Sequence, residues 1–248
     1  MTKQKTHFGF SEVDADEKQN LVGDVFRSVA SNYDVMNDAM SLGVHRLWKW
    51  FAVAQSGVGA GDKVLDLAAG SGDLSLKFAE KVGTNGQVIV TDINAAMLSE
   101  GRSRLTNAGI SENVEYCLVN AENLPFGDST FDCISISFGL RNVTHKDIAL
   151  KSMQRCLKPG GRVIVLEFSQ PINKTFRKAY DAYSFNIIPK LGEMIAGDRD
   201  SYQYLVESIR QHPPQEELKK MMLDAGFDRV RYHNLTGGVV AIHVAYKY

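Results

Sequence analysis

One run, Val64-Leu-Asp-Leu-Ala-Ala-Gly-Ser-Gly-Asp73, constrains the fold of this chain more than any other. Residues 63–68 are apolar almost throughout, as a strand is when both its faces are covered. A turn over 69–72 carries Gly70 and Gly72, and a helix with Leu74, Phe78 and Val82 on one stripe follows. Strand, glycine turn and helix in that order form the first unit of a parallel α/β sheet.

The rhythm continues downstream. Residues 88–92 read as a second strand, Leu98, Gly101, Leu105 and Ala108 as one side of a second helix, and 114–119 and Phe131–Ser137 as further strands. A helix over about 147–157 leads to the turn Lys158-Pro-Gly-Gly161 and a strand over 162–168. Residues 170 to about 213 break the pattern; they are aromatic, helical in character and too long for a plain loop. Leu218, Met221, Met222 and Ala225 then mark a helix stopped by Gly226, and strands near Arg229–Leu235 and 239–246 are joined at Thr236-Gly-Gly238, a hairpin signal. The expected fold is a single α/β domain with a doubly wound, mostly parallel sheet ending in an antiparallel hairpin. Within it, 1–58 is a helical cover, 59–169 the cofactor-binding core, 170–213 a helical insert lining a substrate pocket, and 214–248 the closing helix and hairpin.

With 248 residues, 44% hydrophobic, the chain can bury one large core. A formal net charge of -1 offers no broad basic field for nucleic acid. Cys117, Cys133 and Cys156 lie apart inside apolar runs and read as reduced, buried thiols rather than metal ligands. The start of the chain has no apolar leader and no run is long enough to span a bilayer, so a cytoplasmic protein is expected.

Charge around the turn separates two cofactor readings. Gly70-Ser-Gly72 serves dinucleotide enzymes as well, but their fingerprint wants a third glycine where Ser75 stands. A pyrophosphate needs the positive end of the following helix, and Asp73 already places a negative charge there. Asp66 adds a second carboxylate. Acidic neighbours suit the sulfonium and ammonium of S-adenosylmethionine. Asp92, ending the second strand, is placed to accept from ribose hydroxyls, and Asn120-Ala-Glu122 to meet an adenine edge. For Asp66 or Asp92 taken alone, loop hydrogen bonding or helix capping explains the residue equally well.

Asn120-Ala-Glu-Asn-Leu-Pro-Phe126, Ser137-Phe-Gly-Leu-Arg-Asn142 and Leu157-Lys-Pro-Gly-Gly161 arrive in order after the turn. With Val25-Phe-Arg-Ser-Val-Ala-Ser-Asn-Tyr-Asp34, His45-Arg-Leu-Trp48, Leu166-Glu-Phe-Ser169, Lys178-Ala-Tyr-Asp-Ala-Tyr-Ser-Phe185 and Ser201-Tyr-Gln-Tyr-Leu205, the chain resembles the ubiquinone/menaquinone biosynthesis C-methyltransferases over nearly its whole length. The resemblance implies a Rossmann-like fold, S-adenosylmethionine as donor without a metal, and donor contacts at Ser71, Asp92, Asn120, Ala121 and Ser137. Members often carry threonine where this chain has Ser71, and the hydroxyl is kept. Asp66, Gly70, Gly72 and Asp73 complete the expected donor site. The acceptor implied is a polyprenyl quinol, methylated on a ring carbon: demethylmenaquinol, or 2-methoxy-6-polyprenyl-1,4-benzoquinol. A lipid acceptor leaves room for peripheral contact with the inner face of a membrane, for a quinone-biosynthesis assembly and for a homodimer.

The residues narrow the acceptor independently. No Asn/Asp-Pro-Pro-aromatic turn follows the fourth strand, as many amine methyltransferases have, and no Pro-Cys pair supplies a nucleophile for cytosine. A quinol needs neither, because its oxygens already push electron density onto the ring. Arg141 and Asn142 are candidates to hold the quinol oxygen, Arg141 by stabilising a developing phenolate or, less interestingly, by bracing the insert through a salt bridge. Tyr183 and Asp34 are the candidates from the aromatic cover. His45 and His212 are possible bases, with surface or capping roles favoured; Trp48, Trp50 and Phe51 fit an amphipathic helix better than a membrane anchor. Two other functions remain open: a methyltransferase for another aromatic or lipid acceptor, and a silent cofactor-binding subunit.

Overall fold

The computed structural model describes residues 5–29, 37, 38, 40, 41 and 43–248. The chain opens with a feature the periodicity does not announce, an antiparallel hairpin of β1 (Lys5–Phe8) and β2 (Ser11–Asp14). Gly9 turns it at φ +57°, a conformation that favours glycine, with the Glu207 carboxylate packed against it. Helices α1 (Ala15–Val29) and α2 (His45–Gln55) follow.

The core then alternates as expected: β3 (Lys63–Leu67), α3 (Asp73–Val82), β4 (Gln87–Asp92), α4 (Ala95–Asn107), β5 (Val114–Leu118), β6 (Phe131–Ser137), α5 (Lys146–Cys156) and β7 (Leu157–Phe168). The insert is α6 (Lys174–Asn186), α7 (Ile188–Ala196) and α8 (Arg199–Gln211), and the chain ends with α9 (Gln215–Asp224), β8 (Arg229–Leu235) and β9 (Val240–Tyr246).

The main sheet has seven strands in the order β5-β4-β3-β6-β7-β9-β8, the first five parallel and β9 antiparallel to both neighbours. Connections leave β3 toward β4 and β5 on one side, and β6 toward β7 on the other. Leu67 and Ile136 are paired at this switch, where the strand ends splay and open a crevice. Val64 and Leu65 point to opposite faces, each into a separate buried apolar layer. That is why the run lacks polar alternation. One layer is closed by Trp48, Leu74 and Phe78, the other by Leu150, Met153, Leu218 and Met222.

Two turns differ from the expected form. Lys158-Pro-Gly-Gly161 is not a separate connection but a bulge within β7: Leu157 faces Phe131 and Arg162 faces Cys133, with Gly160 at φ +84°. Thr236-Gly-Gly238 joins β8 to β9 through a short 3₁₀ turn in which Thr236, Gly237 and Gly238 all take positive φ. A Cβ on Gly238 would meet backbone 2.9 Å away.

The insert has its own small core of Ile188, Tyr202 and Val206, joined by Phe26 from α1. The N-terminal hairpin packs on it: Phe8 stacks on Tyr204 at 4.2 Å, and the Phe10 N–H donates to Glu207 at 3.0 Å. Together these segments roof the sheet's switch point.

Candidate active site

The glycine turn is shaped by close backbone approach. Gly70 and Gly72 have φ of +57° and +80°, and a Cβ on Gly72 would lie 2.6 Å from the Leu105 side chain of α4. From that helix Gly101 faces back, and a Cβ there would fall 2.7 Å from the Gly70 carbonyl oxygen. A third glycine does serve the turn, contributed from the next helix.

Ser75 has a different task. Its hydroxyl donates to Asp66 Oδ2 at 2.5 Å, and Ser135 donates to Oδ1 at 2.5 Å. Burial pushes the Asp66 carboxyl up to about 6, against the pull of those two hydroxyls. Asp66 therefore braces β3, β6 and the turn from beneath.

Asp92 accepts from the N–H of Gly70 at 3.0 Å and of Asn94 at 2.9 Å. Burial raises its carboxyl above the usual range, opposed by these N–H groups. Asn94 caps α4, accepting from Ala96 and Met97. Asp92 thus has loop hydrogen bonds, and it also borders open space. It lines a cavity with Gly70, Asn120, Ala121, Ser137 and Asn142, roofed by Val22 and Phe26 of α1. A smaller recess adjoins it, lined by Asp66, Gly70, Ser71, Asp73, Ser137 and Lys49. Ser137 borders both, with its hydroxyl oxygen buried and lacking a partner among the described residues. A polar, unsatisfied atom facing a cavity marks a place for a ligand group.

Beyond Phe26 and Phe138, which border both spaces, lies a second cavity. Its walls come from α1, α2, the insert and the β8–β9 turn, and include Trp48, Phe168, Phe176, Tyr180, Tyr202 and Tyr204. It is larger, about 1380 Å³ with its mouth against about 920 Å³ for the first. Phe138 holds φ +53°, a conformation uncommon for a bulky residue, and its ring packs on Phe168 at 4.8 Å.

Like Lys49, Arg141 lines this second cavity. Its Nη1 donates to Glu167 at 2.9 Å and to the Phe138 carbonyl, while its backbone N–H donates to the other Glu167 oxygen at 3.1 Å. The pair is deeply buried, with side-chain exposures of 6% and 2%. Arg141 Nε has no partner among the described residues. The neighbouring Asn142 accepts from the Tyr204 hydroxyl at 2.9 Å. Burial pushes that phenol up to about 12, so Tyr204 stays a donor at neutral pH.

Most expected residues therefore meet at the crevice, in two groups separated by Phe138. Gly72 supports the turn without lining either space. Tyr183 sits apart in the insert's core, its hydroxyl donating to the Met40 carbonyl at 3.3 Å. Asp34 lies outside the described residues. Asp73 is not the uncompensated charge the sequence suggests: Lys49 donates to it and Arg104 stands 2.5 Å away. Burial favours its neutral form, yet these cations hold the carboxyl below its usual range.

His212 is neither on the surface nor capping; both ring nitrogens are buried without partners among the described residues, and burial holds it neutral. Trp48 is buried, donating to Thr236 at 2.9 Å, while Trp50 is 62% exposed, which splits the tryptophan cluster as an amphipathic helix does. Sequence reasoning missed Glu167, although a lone acid closing the apolar run Val163-Ile-Val-Leu-Glu167 was the available signal. It also missed Lys49 and Arg104, and among the tyrosines of the insert it singled out Tyr183 rather than Tyr204.

A seven-stranded sheet, its first five strands parallel and β9 antiparallel, with a glycine-built crevice at its switch point defines a class, the Rossmann-like methyltransferase fold. The same fold is seen in a SAM-dependent methyltransferase from Aquifex aeolicus (TM-score 0.56, 19% identity, 79% of this chain and 88% of that one). It is also seen in the [4+2]-cyclase SpnF (TM-score 0.61, 17% identity, 82% and 81%), so the fold by itself names no reaction. The chain belongs to the ubiE/COQ5 methyltransferase family, which it matches over residues 13–247. Ubiquinone/menaquinone biosynthesis C-methyltransferases UbiE from Klebsiella pneumoniae and Cronobacter sakazakii are 61% and 60% identical to it, each over 100% of this chain and 98% of the relative.

Proposed function

We propose that this chain transfers the methyl group of S-adenosylmethionine to a ring carbon of a polyprenyl quinol, in menaquinone and ubiquinone biosynthesis. The observation that carries the reading is the pair of cavities meeting at Phe138, one reaching from Gly70 of the glycine turn past Asp92 to Asn120, the other aromatic with Arg141 in its wall. Full-length relatives named for this activity support the same acceptor.

The donor's ribose lies against Asp92 and its adenine near Asn120 and Ala121, which places the methionine half along the recess at Ser71 and Ser137. The acceptor ring enters between Phe138 and the aromatic walls, and the start of its tail lies along the apolar lining. Attack by the ring carbon forms one carbon–carbon bond, and the leaving electron pair stays on sulfur. Electron density for the attack comes from a quinol oxygen as it loses its proton; the ring carbon then loses its own proton and the oxygen regains one, so that one proton is released overall. Arg141 lowers the energy of the phenolate, since a fixed cation in a water-poor pocket stabilises developing negative charge strongly. Asn142, held by Tyr204, orients the oxygen from the donor side.

Leu47 and Trp50 project outward from α2, and Phe176 is both part-exposed and in the wall of the acceptor cavity. They support peripheral contact with the membrane that holds the quinol. Calorimetry with S-adenosylmethionine and turnover of a short-chain demethylmenaquinol test the proposal. Binding together with turnover is expected; binding without turnover on any quinol would instead mark a silent cofactor-binding subunit.

A further inference from the structure

A quinol oxygen gives up its proton readily only to a group that accepts one near neutral pH, and the acceptor cavity offers few. No Asp or Glu lines it among the described residues. Arg141 and Lys49 are cations, each already held by a carboxylate. Burial pushes the phenols of Tyr180 and Tyr204 up, Tyr204 to about 12, and Tyr202 packs in the insert's own core. His45 of α2 is left. It lies on the face of α2 that it shares with Trp48 and Lys49, at i+3 and i+4, and all three are buried in the cavity wall. Its Nε2 stands 2.8 Å from Oδ1 of Asp38, while its Nδ1 is buried without a partner among the described residues. Arg46 holds the same carboxylate, Nε donating to Oδ1 at 3.2 Å and Nη2 to Oδ2 at 2.6 Å. First Arg46 and then His45 keep the Asp38 carboxyl below its usual range. A carboxylate can only accept, so Nε2 carries the shared hydrogen and the neutral ring keeps its lone pair on Nδ1.

We propose that His45, oriented by Asp38, is the general base that takes the hydroxyl proton of the quinol. This rests on a quinol being the acceptor. The proton passes from the quinol oxygen to Nδ1, and the Asp38 carboxylate stabilises the imidazolium that forms. The ring carbon then bonds to the methyl carbon as the methyl–sulfur bond breaks, and that electron pair stays on sulfur. The ring carbon's proton leaves to water, and Nδ1 returns its proton to the oxygen. One proton is released and His45 ends as it began. Arg141, in the wall of the same cavity, stabilises the phenolate and has no proton to take. Asp38 is a positioning residue, set behind the ring with Arg46. Further charge reaches the ring from Lys49 on its own helix, from Asp73 of α3 and from Arg141. Lys49 and Asp73 are ion-paired, as are Arg141 and Glu167, so Asp38 is the charge bonded directly to the ring.

The test is the rate of methyl transfer in a single turnover of the full chain, at saturating S-adenosylmethionine and short-chain demethylmenaquinol, followed across neutral pH. His45→Gln keeps an amide donor for Asp38 and loses the Nδ1 lone pair. It should slow transfer by about 100-fold or more, while S-adenosylmethionine affinity in calorimetry stays within about twofold of wild type. Its rate should go on climbing about tenfold per pH unit, as solvent takes the quinol proton, where that of the wild type levels off. Asp38 is 39% exposed in its side chain, so Asp38→Asn should keep the fold. It should slow transfer about tenfold and move the acid limb of the profile to lower pH, because an amide stabilises the imidazolium less than a carboxylate does. A merely structural pair would not move that limb. Wild-type transfer rates in His45→Gln would overturn the base. So would an acid limb that stays in place in Asp38→Asn, and that variant decides where His45→Gln does not fold. A wild type that transfers methyl to no quinol would overturn the acceptor and the base with it; an active wild type with an equally active His45→Gln overturns the base alone.

Discussion

The two halves of the crevice are built in opposite ways. The donor half rests on backbone: strand ends, a glycine turn, and Asp92, whose carboxylate accepts from two N–H groups. Its parts come from adjacent elements and rest on the sheet. The acceptor half is made largely of side chains from α1, α2, the insert and the β8–β9 turn, which are far apart in sequence and come together only in the folded chain. Such a contrast suits an enzyme in which a common donor site is fixed by the fold and the acceptor is chosen by what is laid over it.

Changes in one half should leave the other working. The largest effect is expected for Arg141→Ala, which should cut turnover of the quinol by about 100-fold or more while donor affinity in calorimetry stays the same. The variant should also lose about 3–5 kcal/mol in denaturant unfolding, because Glu167 is left buried without its partner. Arg141→Met combined with Glu167→Gln separates the two roles: stability should largely return and activity should not. A return of activity would make the pair a brace.

Next comes Gly101→Ala on the donor side. A methyl group 2.7 Å from the Gly70 carbonyl must push the turn away. Donor affinity should fall at least about tenfold, with about 1–3 kcal/mol of stability lost to overpacking. A smaller, opposite case is Tyr204→Phe. Losing the hydroxyl bond to Asn142 should lower turnover roughly tenfold, cost about 1 kcal/mol of stability and leave the donor dissociation constant unchanged.

How legible each half is in the sequence follows from the same contrast. Gly70, Gly72 and Asp92 sit at fixed offsets from the strands that carry them, so period and punctuation reveal them, whereas Ser137 came only with the family resemblance. Arg141 and Glu167 are 26 residues apart and pair across β6 and β7, which no local pattern encodes. The hairpin that packs Phe8 on Tyr204 has strands of four residues each, too short for alternation to register. Asp73 was visible as a charge, but the cations that cancel it come from helices on either side. Ser75 looked like a missing glycine because its partner, Asp66, lies below the turn rather than beside it.

A last effect, on stability against pH rather than on turnover, concerns Asp66. Its folded carboxyl titrates near 6, above the ordinary 3.8, so the native state binds the proton more tightly than the unfolded chain. This contribution to stability is fully present below about pH 4 and is lost as pH rises through 6. Asp66→Asn should therefore gain on the wild type between pH 4 and 7 in chemical unfolding, by no more than about 3 kcal/mol. A flat difference across that range would mean that Asp66 is not held protonated by burial.

The central claim is that a methyl group crosses from the donor cavity at the glycine turn to a ring carbon in the aromatic one. The direct measurement is mass spectrometry with fragmentation after incubation with S-adenosylmethionine labelled on its methyl group and short-chain forms of demethylmenaquinol and 2-methoxy-6-polyprenyl-1,4-benzoquinol. The label is predicted on a ring carbon of at least one product, with release of S-adenosylhomocysteine in equal amount. Label on a quinol oxygen, or none on either quinol from a chain that binds the donor, would contradict it.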